Sequence, residues 1–350
     1  VHDREKRLML EAIAAAAAVK GGTYPNPPVG AVLVQGGEIV SVAASDPAGG
    51  AHAEVNCIGD AGGQTAGGEL YVTLEPCSHH GKTAPCTDLI LERRITRVII
   101  ACQDPNPLVN GKGVARLQEA GVETVTGLLE EIAATLLYRP FFHCIRTGMP
   151  YVLLKYAMTL DGKIACSNGA SGRISGKEAS EHVQILRKEC DAVLVGAQTV
   201  RKDNPRLDCR IPGIKSRFQP RRVVVSHSGL PEENYTVFKE NSHYLQAVTE
   251  DNGLEQTLCF DGSVEDLLRN LAQQGIVSLL VEGGRNIITQ FILSGFFQEL
   301  HAVIAPRIAG GDYSPVGDLG ISNVADVLNL KGVWKPLGQD IVFIGERVDG

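Results

Sequence analysis

Thr73-Leu74-Glu75-Pro76-Cys77 and the later Cys86, read with His52-Ala53-Glu54, decide the reading of the first half of this chain. One imidazole and two thiolates are good ligands for Zn²⁺, and three protein ligands leave a fourth position for water, as a catalytic site needs. A metal so held lowers the pKa of that water towards neutrality. Glu54 lies two residues past His52 on the same expected helical turn, so it can reach the site without ligating. There it can take a proton from the water and return it to a substrate ring and a leaving ammonia. Eight residues, Ser78 to Pro85, separate the two cysteines. Within them His79 or His80 serves as a fourth ligand or as a substrate contact, the second reading being preferred.

Outward from this stretch, helices and strands alternate. The Ala-rich run 4–20 predicts a helix stopped by Gly21-Gly22, and Pro25, Pro27 and Pro28 predict a rigid loop. Segments 31–35 and 38–42 flank Gly36-Gly37 as a hairpin. Further helices are expected over 52–60, 86–94, 114–120 and 128–137, and strands over 70–74, 97–101 and 122–125. Strands separated by helices predict an α/β layer sandwich. A break at Arg146-Thr147-Gly148-Met149-Pro150 sets the expected domains at 1–148 and 149–350. The second domain reads as α/β too, with strands over 151–157, 192–195, 222–225, 277–281, 300–304 and 341–345. Its helices are expected over 177–188, 264–274 and 287–293, and residues 228–260 carry no readable period.

Composition narrows the function. At 44% hydrophobic and 21% charged, the 350 residues are of ordinary globular usage, which argues against disorder, collagen and coiled coil. The longest apolar run, Ala12 to Val19, has eight residues, well short of the roughly 20 that span a bilayer. With no secretion-signal pattern either, the expectation is a cytoplasmic protein without a membrane partner. A net charge of −7 opposes a polynucleotide partner. The balance is reversed locally, where eight Lys/Arg between Arg201 and Arg222 meet only Asp203 and Asp208, which suits an anionic small ligand. Nine scattered cysteines read as free thiols in a reducing compartment.

His-x-Glu with Pro-Cys…Cys is the signature of the zinc-dependent nucleobase deaminases, here with the usual Cys-x-x-Cys opened out. The run from Thr73 to Cys86, together with Asn26-Pro27-Pro28-Val29-Gly30-Ala31-Val32 and Asp104-Pro105-Asn106-Pro107 through Gly113, closely resembles the bacterial bifunctional riboflavin-biosynthesis deaminase–reductases. In the second half, Lys155 to Ala165, Val195 to Leu207, Val281-Glu282-Gly283-Gly284 and Ala305 to Gly311 resemble that family's reductase domain, in family order. No convincing Gly-x-Gly-x-x-Gly follows a strand. Gly283-Gly284 instead makes a turn into a helix whose first amides suit a phosphate or pyrophosphate.

The resemblance implies an α/β fold class: an N-terminal cytidine-deaminase-like α/β/α domain and a C-terminal dihydrofolate-reductase-like α/β domain. It implies one Zn²⁺ per chain on His52, Cys77 and Cys86, with Glu54 catalytic. The implied reactions are deamination of 2,5-diamino-6-ribosylamino-4(3H)-pyrimidinone 5′-phosphate and NADPH-dependent reduction of the ribosyl group to ribityl. Asn26, His79 and Lys82 would contact the first substrate, and Ser171, Arg187, Leu207, Arg210 and Glu282 the second. Arg187 and Arg210 suit phosphate because guanidinium binds it bidentately. Ala157, Arg173, Thr199, Asp203, His227 and the run Gly284, Arg285, Asn286, Ile287, Ile288, Thr289 and Gln290 would line the cofactor site. Asp203 is the first acid–base candidate and Lys155 the second. Self-association is implied as well. Ala43-Ala44-Ser45 departs from the family's Gly-aromatic-His, Arg173 from an aromatic and Ser226 from an Asp. The first departure motivates the alternative of a reductase with a weakened deaminase half. A nucleic-acid deaminase with an accessory domain shares the zinc chemistry, but the charge balance and the reductase motifs oppose it.

Overall fold

The computed structural model describes residues 2–79, 84–170, 172–239, 243–250, 253 and 256–348. The chain falls into two compact units, Val1–Gly148 and Met149–Gly350.

The first unit runs α1 (His2–Val19), β1 (Gly30–Gln35), β2 (Glu38–Ala44), α2 (Ala53–Asp60), β3 (Glu69–Leu74), α3 (Cys86–Glu92), β4 (Arg97–Cys102), α4 (Lys112–Glu119), β5 (Glu123–Thr126), α5 (Glu130–Ala133) and α6 (Arg139–Thr147). The sheet order is β2-β1-β3-β4-β5. β1 is antiparallel to β2 and β3, while β3, β4 and β5 run parallel. Leu8, Met9, Ala12, Ile13 and Ala16 of α1 cover one face, and Cys57, Ile58, Ile90 and Leu117 of α2, α3 and α4 cover the other. This gives three α/β/α layers. The alanines of α1 have a packing reason: a Cβ on Gly30 would stand 1.9 Å from the Ala12 carbonyl oxygen, so helix and strand touch backbone to backbone.

The second unit runs β6 (Tyr151–Thr159), α7 (Lys177–Glu189), β7 (Ala192–Gly196), α8 (Ala197–Asp203), β8 (Arg221–Ser226), β9 (Tyr244–Val248), β10 (Thr257–Cys259), α9 (Val264–Gln273), β11 (Ser278–Val281), α10 (Arg285–Ser294), β12 (Glu299–Ala305), β13 (Leu330–Leu337) and β14 (Asp340–Arg347). Its sheet has the order β10-β9-β8-β7-β11-β6-β12-β14-β13. It is parallel from β10 to β12, with β14 and β13 antiparallel at one edge. Leu267, Leu268, Leu271, Ile288 and Phe291 of α9 and α10 pack on one face. Leu186 of α7 and Val200 of α8 pack on the other.

The structure departs from the sequence reading in several places. The helix expected over 128–137 continues through a π-helical turn, Ala134–Tyr138, into α6 and ends at Gly148, whose φ of +70° closes the last turn. β9 escaped notice because its central residue is Gln246. That side chain is fully buried and bonds both N–H and C=O of Leu230, so it sits where an apolar residue would be expected. β13 contains Gly332 and Pro336, which a strand tolerates at a sheet edge, where it lies. α8 falls within the Val195 to Leu207 motif, for which the sequence reading gives no helix.

Candidate active sites

The first site forms where β3 ends and α2 and α3 begin. His52 is the extended residue that precedes α2, Cys77 follows β3, and Cys86 opens α3. His52 Nδ1 lies 3.2 Å from Cys86 Sγ and 3.6 Å from Cys77 Sγ. The Cys86 backbone N–H donates to Cys77 Sγ at 3.3 Å. One nitrogen and two sulfurs thus fall within 4.8 Å of one another, a compact borderline-soft donor set that fits zinc. Contact with Cys86 and the neighbouring His52 hold the Cys77 thiol well below its ordinary value.

Glu54 lines the same cavity of about 240 Å³ and is 4% exposed. Burial, reinforced by Cys77, pushes its carboxyl up to about 7. Asn26 and His79 also line this cavity, and Lys82 and His80 lie outside the described residues. Ser45, at the end of the Ala43-Ala44-Ser45 departure, braces the wall: its Oγ accepts from Val29 N–H at 2.8 Å and donates to the Val29 carbonyl at 3.2 Å.

Sequence reasoning assigned no role to Glu75, Asp104 or Asn106, all of which line this cavity. The buried Glu75 carboxylate accepts the backbone N–H groups of Gly111, Gly113 and Val114 at 3.0–3.1 Å and of Asp104 at 3.4 Å. It pins the 104–114 loop beside the candidate metal ligands. The signal was present in two quoted motifs, Leu74-Glu75-Pro76 and Asp104-Pro105-Asn106, whose partnership only the fold shows.

The second site is a cavity of about 640 Å³ at the carboxyl ends of β6, β7 and β11, the usual ligand crevice of a parallel sheet. Lys155, Ala157, Arg173, Thr199, Asp203, Glu282, Gly284 and Arg285 line it, as do Ser175 and Lys202, which the sequence did not single out. Gly283 is required by space, since a Cβ there would stand 2.6 Å from Ile287 Cβ.

Other expected residues lie elsewhere. Residues 285–290 form one helical turn and more, so their side chains diverge. Ile287 and Gln290, with His227, line a separate cavity of about 230 Å³. Ile288 is fully buried in the core, and Asn286 is exposed to solvent. Thr289 Oγ1 donates to the Arg285 carbonyl and accepts from Gly317 N–H. Leu207 turns its side chain into the core, with an unusual left-handed φ of +54°. Arg187 is not the open phosphate fork expected, because its guanidinium is closed on Glu282 and on the Asp208 carbonyl. Arg210 and Arg206 both pair with Asp208, which absorbs part of the basic stretch. Ser171 lies outside the described residues.

Residues 150–343 match the family model described as the RibD C-terminal domain. Residues 2–102 match the cytidine and deoxycytidylate deaminase zinc-binding region. The riboflavin biosynthesis protein RibD of Aquifex aeolicus is 38% identical over 99% of both chains, and that of Bacillus amyloliquefaciens 41% identical over 99% of this chain and 97% of its own. The chain belongs to the RibD family. It is a bifunctional deaminase–reductase of riboflavin biosynthesis. Solved structures agree along the whole length. Acinetobacter baumannii RibD superposes with a TM-score of 0.93 at 32% identity over 100% of both chains. The Thermotoga maritima diaminohydroxyphosphoribosylaminopyrimidine deaminase/5-amino-6-(5-phosphoribosylamino)uracil reductase gives 0.90 at 36% identity over 99% of both. A cytidine-deaminase-like first domain and a RibD reductase second domain are thus the fold, as the sequence motifs led one to expect.

Proposed function

We propose that the first site hydrolytically deaminates 2,5-diamino-6-ribosylamino-4(3H)-pyrimidinone 5′-phosphate. The second then reduces the ribosyl group of the product to ribityl. The observation that carries this reading is the gathering of His52, Cys77, Cys86 and Glu54 at one cavity, in a chain whose second unit has its own cavity at the strand ends.

His52, Cys77 and Cys86 hold one zinc ion per chain, which when bound supplies a Lewis acid that makes hydroxide available near neutral pH. Glu54, buried beside the ligands, holds the proton taken from water and returns it to the ring nitrogen and the departing amine. Asn26 and His79 contact the substrate, and Glu75 keeps Asp104 and Asn106 at the cavity wall. Lys82 contributes a cation to the phosphate.

In the second unit NADPH, when bound, would supply the hydride for reduction at C1′ of the ring-opened sugar. Ala157, Arg173, Thr199 and the Gly284 turn place the cofactor, with His227 and Gln290 further along the strand ends. The sugar O4′ released by ring opening needs a proton. Lys155 is the better placed donor, since it is half-buried at the cavity wall that Glu282 also lines, whereas Asp203 is exposed at the end of α8. Burial holds the Lys155 pKa below its ordinary value, and Glu282 opposes that fall. Arg210, Ser171 and Leu207 border the substrate, and Arg187 acts by fixing Glu282.

The reading includes self-association, a cytoplasmic location and neither a polynucleotide nor a membrane partner. The net charge of −7 supports it, and among the described residues no helix is long and apolar enough to cross a membrane. The test is incubation with the diaminopyrimidine phosphate, with and without NADPH. Ammonia without cofactor, and a ribitylamino product only with it, is the expected result. Neither ammonia nor ribitylamino product from this substrate, with NADPH-dependent reduction of the deaminated pyrimidine intact, would favour the weakened-deaminase alternative.

A further inference from the structure

The sequence that leads into α7, Ser175-Gly176-Lys177-Glu178, has the form of a helix-capping box. In that motif the serine hydroxyl accepts an N–H of the first turn, and the glutamate reaches back to the serine N–H. The structure places the cap one residue later. α7 is Lys177–Glu189, its cap residue is the extended Gly176, and no cap side chain bonds to the helix. Gly176 N–H donates to Asp340 Oδ2 at 2.6 Å, across 164 residues of sequence. A backbone N–H can only donate, so the direction of this bond is fixed.

Asp340 opens β14, directly after the Gly338-Gln339 turn from β13. It is 2% exposed, and among the described residues this is its one side-chain hydrogen bond. The turn sits against α7. Gly338 has a φ of +64°, and a Cβ there would stand 2.5 Å from Glu178 Cδ, so the glutamate of the box lies over the turn. Beside it Ala179 packs with Val303 of β12 and Val342 of β14. A Cβ on Gly176 would stand 3.3 Å from Asp340 Oδ2, so glycine lets the carboxylate come in close.

Ser175 is thereby left outside the helix. Its hydroxyl has no hydrogen-bond partner among the described residues. The residue is half-buried in the wall of the 640 Å³ cavity, beside Arg173 and Ile174. Outside α7, the backbone of this stretch is tied at its two ends: Arg307 Nη1 donates to the Arg173 carbonyl at 3.2 Å, and Asp340 holds Gly176. A hydroxyl both donates and accepts, and a few fixed polar groups of this kind orient a ligand in a cavity. The carboxamide, ribose and phosphate groups of a nicotinamide cofactor offer partners of both kinds.

We propose that Ser175 is a cofactor-binding residue of the reductase, its hydroxyl free for the bound nicotinamide cofactor because Asp340 holds Gly176, and not Ser175, as the cap of α7. The proposal rests on the reading of this cavity as the cofactor site.

The test uses the full chain with Ser175→Ala, Ser175→Thr and Asp340→Ala, and NADPH as the probe. NADPH Kd is read by fluorescence titration and the stability of the second unit by its denaturant midpoint. Ser175→Ala weakens NADPH binding about fivefold, the scale of one lost hydrogen bond, and leaves the midpoint where it was. Ser175→Thr keeps the hydroxyl and stays within about twofold of the unsubstituted Kd, well inside that loss. Asp340→Ala lowers the midpoint and weakens NADPH binding as well, since the cap can then move back to Ser175. Ammonia release is the same in all three. A lowered midpoint with unchanged Kd in Ser175→Ala would make the serine a helix cap and overturn the proposal. Equal weakening in the Ala and Thr variants, or an unchanged Kd in Asp340→Ala, would overturn it too. Absence of NADPH binding by the unsubstituted chain overturns the reading of the cavity and the proposal with it, whereas binding that is indifferent to Ser175 overturns the proposal alone.

Discussion

Arg187 and Glu282 form a two-point ion pair, Nε to Oε1 at 2.6 Å and Nη2 to Oε2 at 3.1 Å, with each side chain 10% exposed. It joins α7 to the turn after β11 and so fixes one wall of the larger cavity. Burial alone would raise the Glu282 carboxyl, yet Arg187 holds it below its ordinary value. Arg187→Met leaves that buried charge without its hydrogen-bonded partner, Lys155 and Arg210 being the cations that still act on it. The expected cost to the second unit is about 3–5 kcal/mol, read from its denaturant transition. Arg187→Met with Glu282→Leu should recover much of this stability while reduction stays lost. A single substitution without a stability cost would show that the pair does not hold the wall.

The metal cluster was legible in the sequence because its chemistry depends on residue type and order. His52, Cys77, Cys86 and Glu54 are scarce groups at recognisable spacings, and the fold brings them together. Arg187 was legible only as a cation. Whether a guanidinium faces a phosphate or a buried carboxylate depends on what lies above it, and Glu282 is 95 residues away. The run 284–290 is a different case: a helix turns each residue by about 100°, so its side chains reach two cavities, the core and solvent, while the first amides of α10 stay at the Gly284 turn. Most strands were found by apolar runs. β9 was lost because Gln246 satisfies its amide on the Leu230 backbone, a bond that no local pattern announces.

Removing either sulfur ligand should abolish metal retention. Cys77→Ser and Cys86→Ser are expected to emerge from gel filtration with little zinc by elemental analysis and without ammonia release. Glu54→Gln should retain zinc and lose ammonia release by at least about 10²-fold, the usual scale of a positioned acid–base group. Reduction of the deaminated substrate should persist in all three. Ammonia release surviving Glu54→Gln would remove it as the proton carrier.

Glu75 offers a stability test that is separate from the metal. Its carboxylate accepts from four backbone N–H groups of the 104–114 loop. In Glu75→Gln one oxygen becomes an NH₂ that faces N–H donors, so two of these bonds are lost and their donors are left buried. The first unit should lose about 2–4 kcal/mol, read from its thermal transition. Gly113→Ala tests the same contact from the other side, since a Cβ there would stand 2.1 Å from the Pro76 carbonyl oxygen. Both variants should raise KM for deamination by displacing Asp104 and Asn106.

Asp161 ties the end of β6 to the 309–310 segment. Its carboxylate accepts the Thr159 hydroxyl at 2.5 Å, Gly310 N–H at 2.8 Å and Ala309 N–H at 3.1 Å. These bonds, that from Thr159 first, lower its pKa to about 2 from an ordinary 3.8. The folded-state value is depressed, so the tie is complete above pH 4 and is lost as pH falls through about 2. The carboxyl carbon of Asp161 should therefore titrate near 2 by NMR, and the Gly310 amide should shift with it. A midpoint at the ordinary value would refute the tie. The consequence at neutral pH runs through Arg307, whose Nη1 donates to the Arg173 carbonyl at 3.2 Å, because Arg173 lines the cofactor cavity. Asp161→Ala loosens that chain of contacts without touching the reacting atoms. It should raise KM for the nicotinamide cofactor several-fold and leave kcat nearly unchanged. A fall in kcat at constant KM would instead place Asp161 among the groups that act on the transition state.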